Sequence, residues 1–145
     1  MKNLKMFGLC AFLALFSCTD DDENTYVPNV SIVHEWTLTK STGTIAGITH
    51  DFPSGTILWK FMANNTVTVT NNNTNNNLQS GFPSGTYTYS ISNNTTGATC
   101  EKKITINANE EFNCLQINDT EMNIDQGVAD GINYHFERVM PFTTN

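Results

Sequence analysis

Charge is scarce in this chain: Asp, Glu, Lys and Arg make up 14 % of 145 residues, and only 7 of them are Lys or Arg. Without clustered basic residues there is nothing to neutralise a phosphate backbone, which excludes nucleic acid as a partner. There is likewise no basic patch to dock on an anionic lipid surface. No apolar run reaches the roughly 20 residues that a membrane-spanning helix requires. No window carries apolar residues at i, i+3, i+4 and i+7, so no amphipathic helix is expected. The three histidines, His34, His50 and His135, have no i, i+2 or i, i+4 partner, and no Gly-x-Ser-x-Gly elbow is present. Carboxylates such as Glu35, Asp51, Glu101, Glu110 and Glu111 show no spacing that assigns acid and base roles. These absences predict a non-enzyme with no metal and no cofactor. What is abundant is neutral polarity: 20 Asn and 21 Thr take over the solubilising role that charge has elsewhere.

The chain opens with a short basic segment, Met1 to Lys5, and an 11-residue apolar run from Met6 to Phe16. That is the pattern of a secretory signal, too short to cross a bilayer. It ends in Leu15-Phe16-Ser17-Cys18, which resembles a bacterial lipoprotein signal with Leu at −3, Ser at −1 and Cys at +1. The resemblance implies removal of residues 1–17, Cys10 included, and acylation of Cys18, so that the chain meets the membrane through a lipid anchor. More than one long acyl chain gives stable anchoring where one is marginal. The alternative is an ordinary secretory cleavage that leaves Cys18 a free thiol. The following Thr19-Asp20-Asp21-Asp22-Glu23 resembles the surface-export signal of lipoproteins in the Bacteroidetes, which implies an outer-membrane protein facing the cell surface. Alternatively these acids only hold a solvated tether off the membrane. Residues 18–30, with Pro28 near their end, read as a flexible acidic leash. Without Lys2 and Lys5 the remainder carries 5 basic against 14 acidic groups, a net of −9. At 128 residues it is one domain.

From about Ser31 the period is two. Ile32 to Thr39 puts Ile32, His34, Trp36 and Leu38 on one face; Thr56 to Met62 puts Ile57, Trp59 and Phe61 on one face. Thr66 to Thr70, Thr86 to Ser92, Cys100 to Ile106, Phe112 to Asn118, Glu121 to Ile124 and Asn133 to Val139 complete eight runs. Eight sequential antiparallel strands predict an up-and-down barrel, whose closure removes exposed edges; a β-sandwich is the alternative. Its inward set is bulky, which favours a mostly filled interior with at most a shallow pocket. Buried Tyr87, Tyr89 or Tyr134 would each need a partner for its hydroxyl.

Connections in a meander alternate between two ends. Loops of about 16, 15, 5 and 8 residues fall at one end and about 3, 7 and 2 at the other, which makes the long-looped rim the candidate mouth. Long polar loops could also merely tolerate insertion. Phe52-Pro53-Ser54-Gly55-Thr56 recurs as Phe82-Pro83-Ser84-Gly85-Thr86, each before a strand. Both copies can act as turns, and Phe52 and Phe82 could form an apolar lip with Trp59 and Tyr87 behind it. Asn71 to Asn77 is low complexity and reads as a mobile loop tip.

The ordered stretch, about residues 31–140 with a short tail at 141–145, resembles the bacterial lipocalin-like domain of many Bacteroidetes lipoproteins. The likeness rests on Val33-His34-Glu35-Trp36-Thr37-Leu38, Trp59-Lys60-Phe61, Gly85-Thr86-Tyr87 and Tyr134-His135-Phe136-Glu137-Arg138. It departs from the pattern at His34, where glycine is usual. The resemblance implies that Arg138 lies across Trp36 and plugs the closed end, a cation–π contact. It also implies a small apolar or amphipathic ligand at the open rim. The competing expectation is an accessory lipoprotein with a solid barrel that contacts another protein or a glycan.

Two cysteines remain, Cys100 and Cys114. Export into an oxidising compartment favours a disulfide between them, and the lack of neighbouring His disfavours zinc. If the intervening turn centres on Asn109, Cys114 falls opposite Ile104. The bond then requires Cys100 to curl in from the preceding loop.

Overall fold

The structure is a computed structural model in which residues 31–43, 47–95 and 100–141 are described. The expected signal at 1–17, Cys18 and its lipid, the tether at 18–30 and the tail beyond Pro141 lie outside the described residues.

The described residues form ten strands and no helix: β1 Glu35–Gly43, β2 Ile48–Asp51, β3 Ile57–Met62, β4 Thr66–Asn71, β5 Gly85–Asn93, β6 Lys102–Ile106, β7 Glu110–Phe112, β8 Cys114–Ile117, β9 Glu121–Asp125 and β10 Ile132–Arg138. All pairings are antiparallel, in the order β7-β6-β5-β4-β3-β1-β10-β9-β8, with β2 added to β1. The two ends of that path, β7 and β8, are consecutive in the chain and separated only by Asn113. The sheet thus curls round into a nearly closed barrel, and the sandwich alternative is not what forms.

Ten strands stand where eight are expected, for two local reasons. Residues 40–55 read as one long loop, yet β1 runs on to Gly43 and β2 folds back on it, pairing Lys40 with Asp51 and Ser41 with His50. Gly43 makes this possible: at φ 142 its α-carbon faces the Gly131 carbonyl, where a side chain would collide with backbone. The expected strand from Phe112 to Asn118 is broken at Asn113. Its first part pairs with β6, Phe112 opposite Ile104, and its second with β9, Cys114 opposite Asp125. Asn113 bridges the break: its carbonyl accepts from Asn94 Nδ2 (2.6 Å) and its own amide donates to the Gln126 carbonyl (2.8 Å).

A bulge at Thr39 has more consequence for the interior. Leu38 pairs with Phe136, but Lys40 pairs with His135, so the face of β1 that points inward switches parity. Beyond the bulge Ser41 is the inward residue, fully buried beside its partner Tyr134.

The core follows the alternation of the strands. Trp36, Leu38, Ile57, Trp59, Val67, Ile104, Ile106, Met122, Ile124 and Phe136 are fully buried. Phe52 joins them from a segment without a clear period, and Phe112 from the short strand β7. Ile91 is the exception, 40 % exposed. β4 starts at Thr66, opposite Thr88, so β5 beyond that point has a neighbour on one side only.

The disulfide Cys100–Cys114 is present, with Cα atoms 5.1 Å apart. The β6–β7 turn centres one residue earlier than Asn109, since Ile106 pairs with Glu110 and Ile104 with Phe112. Cys100 does reach Cys114 from the segment preceding β6.

Candidate functional site

Three of the four residues expected at the rim come together. Phe82 packs edge-on to Trp59, ring centres 5.5 Å apart, and lies 5.1 Å from Tyr87. Trp59 is fully buried, while Phe82, Tyr87 and Leu78 are half-buried against the core. The fourth, Phe52, is 6 % exposed and belongs to the core, so it forms no exposed lip with Phe82.

The two copies of Phe-Pro-Ser-Gly-Thr differ in structure. In the first, Gly55 has φ 80, the Thr56 amide donates to the Pro53 carbonyl, and the Gly55 amide donates to Thr37 Oγ1 (2.8 Å). This copy is a detour between β2 and β3. In the second, Gly85 is already strand, paired with Val69, and the Tyr87 ring folds back over it. The Tyr87 hydroxyl donates to the Pro83 carbonyl (2.9 Å).

The segment between β4 and β5 is organised by asparagines. Asn71 Nδ2 donates to the Ser80 and Phe82 carbonyls, both at 3.0 Å, and its backbone amide donates to Ser84 Oγ (2.8 Å). Its side-chain oxygen accepts from the Asn73 amide; Asn73 does the same for Asn75, and Asn75 for Asn77. The tract expected as a mobile tip is thus a run of Asx turns. Replacing Asn71 by alanine leaves two carbonyls without their donor. The expected cost is about 1–3 kcal/mol, read as a lower urea midpoint together with faster proteolysis between residues 72 and 84.

Inside this rim the apolar lining is interrupted by three polar groups. Ser41 Oγ and Trp59 Nε1 are buried and have no hydrogen-bond partner among the described residues. Both neighbour Tyr134, which is the register partner of Ser41 and has its ring 6.4 Å from that of Trp59. Burial first, and the Glu110 carboxylate second, push the Tyr134 phenol up to about 12, so it remains a neutral hydroxyl. Glu110 is held by Gln126 Nε2 (2.8 Å), whose Oε1 accepts from the Ile132 amide. The backbone of Gly81, at φ 77, passes over both rings. A Cβ there would lie 3.3 Å from Trp59 Cζ2 and 3.9 Å from Tyr134 Cζ. Residues 78–82 therefore roof the site.

Ser41 is the residue that strict alternation misses. Continued from Leu38 without a bulge, β1 would turn Lys40 inward. A charged residue in the inward phase is the one sequence signal that a parity switch lies between them.

At the other end Arg138 stands opposite Trp36 in register. Its guanidinium makes hydrogen-bond contacts with His34 Nδ1 (3.2 Å) and the Asp119 carbonyl (3.3 Å). The His34 ring meets Trp36 edge-on at 6.3 Å, and Trp36 Nε1 donates to the Ile32 carbonyl (3.0 Å). Burial, and then the positive charge of Arg138, lower the His34 pKa from its ordinary 6.5. Folding therefore disfavours the imidazolium, and His34 contributes stability above about pH 6.5 that is lost as the pH falls through its folded value. Urea midpoints of the native protein should fall more steeply than those of His34→Gln between about pH 7 and pH 5.

Among the described residues no group of His, Cys, Asp and Glu is placed to hold a metal, and no helix is long and apolar enough to cross a membrane. Compared with known proteins, the chain matches no family model, no curated protein and no solved structure.

Proposed function

We propose that this chain is a lipocalin-like binding module, tethered to the outer membrane through acylated Cys18 and facing the cell surface, that takes a small apolar or amphipathic ligand at its long-looped rim. The observation that carries the binding reading is the Phe82–Tyr87 pair, half-buried beside Trp59. An apolar mouth with a few polar groups in its lining is the usual form of a small-molecule site. The tether rests on the apolar run ending at Leu15-Phe16-Ser17-Cys18 and on the acids that follow.

Native mass spectrometry of the acyl-free domain, purified from its own host, tests the binding reading: a retained small molecule supports it and a bare protein counts against it. Labelling with an alkynyl fatty acid tests the anchor, with incorporation lost in Cys18→Ala. A second reading, an accessory protein whose loops contact a protein or glycan, draws on exposed Ile48 and Val128 (48 % and 61 %) near the meeting of β1, β2 and β10. A bare domain with a partner that depends on those two residues would favour it.

A further inference from the structure

Polar groups in the barrel are paired almost throughout, which gives the exceptions meaning. Trp36 donates to the Ile32 carbonyl, Thr37 accepts from the Gly55 amide, and Tyr87 and Tyr89 donate to the Pro83 and Met62 carbonyls. Ser41 Oγ and Trp59 Nε1 are left unpaired in the interior, both flanking Tyr134. A buried donor without a partner is costly. Two such groups, each a neighbour of Tyr134, are accounted for if a bound molecule completes them.

Resting on the binding-module reading above, we infer that the site beneath residues 78–82 takes an uncharged apolar molecule bearing one hydrogen-bond-accepting oxygen, as in a ketone, ester or alcohol. The indole N–H can only donate, so the ligand must bring an acceptor, and the hydroxyls of Ser41 and its register partner Tyr134 are further donors beside it. A carboxylate would also accept, but among the described residues every Lys and Arg is exposed or engaged elsewhere. Lys40, the nearest cation along β1, is exposed and faces Asp51 at 4.0 Å, while the Glu110 carboxylate already acts on Tyr134. An anion buried there would be unpaired and beside a like charge, which is strongly unfavourable. The rest of the ligand meets Trp59, Phe82 and Phe136, the last two with ring centres 5.5 and 5.1 Å from that of Trp59.

The test uses three probes of equal chain length on the domain at pH 8: decan-2-one, decanoate and decane. Binding is read by calorimetry and by indole fluorescence. The ketone is expected to bind at least about tenfold more tightly than either of the others, about 1.4 kcal/mol. Ser41→Ala and Trp59→Phe should each weaken ketone binding about fivefold. Ser41→Ala should leave the ligand-free melting temperature unchanged or raised, because the unpaired hydroxyl is gone. A structural hydroxyl, or one satisfied by a resident water, would instead give a lower melting temperature with ketone affinity intact, which overturns the inference. Decane or decanoate binding as tightly as the ketone overturns it too, while leaving the binding module standing. No binding of any probe, with a bare host-purified protein, removes both.

Discussion

Replacing Trp36 with alanine should destabilise the barrel by about 3–5 kcal/mol, a large part of the 5–15 kcal/mol typical of a domain's total stability. The side chain is fully buried where β1 meets β3 and β10, opposite Trp59 on one side and Arg138 on the other. Truncation opens a cavity the size of an indole between strands that cannot collapse without breaking register. It also leaves the Ile32 carbonyl without the indole donor that pins residues 31–34 across this end. Urea unfolding followed by far-ultraviolet circular dichroism should show the full loss. Ile91→Ala is the control: its side chain is 40 % exposed, and the change should stay within about 0.5 kcal/mol. Equal effects at the two positions would mean that Ile91 is buried in solution as Trp36 is.

The second large effect belongs to Cys100 and Cys114. The pair is separated by 14 positions in the chain, and a loop of that size contributes about 3 kcal/mol by restricting the unfolded chain. Cys100→Ser with Cys114→Ser should lower the melting temperature by roughly 10–20 °C. The position of the bond adds a local expectation. β6 pairs with β7 and β8 pairs with β9, and between β6 and β8 there is no ladder. The disulfide and the Asn94–Asn113 hydrogen bond cross that gap. Hydrogen exchange in the double variant should therefore rise most in β6, β7 and β8, with β1, β3 and β10 holding longest. Uniform loss of protection would show that the bond acts through the unfolded chain alone.

The places where the chain could be read from its residues, and where it could not, have physical causes. Trp59-Lys60-Phe61 and Tyr134-His135-Phe136 alternate cleanly because each lies in a strand with one wet and one buried face, so their inward sides are legible. The break at Asn113 is not, because its cause is the Gln126 carbonyl thirteen residues away. The Thr39 bulge is set by pairing with β10, at the far end of the chain, and Ser41 is hidden with it. β2 was obscured by its composition: Ile48-Thr49-His50-Asp51 is nearly all exposed and gives no period. The aromatic part of the rim was legible as residue types, while its polar part depended on that single shift of parity. The repeated Phe-Pro-Ser-Gly-Thr shows the limit from the other side. The two stretches have the same letters, and neighbours outside them, Thr37 for one and Asn71 for the other, decide the backbone.

The asparagine tract, finally, has a reading frame. Each amide oxygen closes a ring over the residue two places on, so only Asn71, Asn73 and Asn75 do the work, and Asn72, Thr74 and Asn76 are out of phase. Loss of one letter would bring Thr74 into a slot that wants an amide, while loss of two would restore the phase at shorter length. A stretch that looks like monotonous filler is thus indifferent to much of its spelling and sensitive to whether its length changes by an odd or an even number.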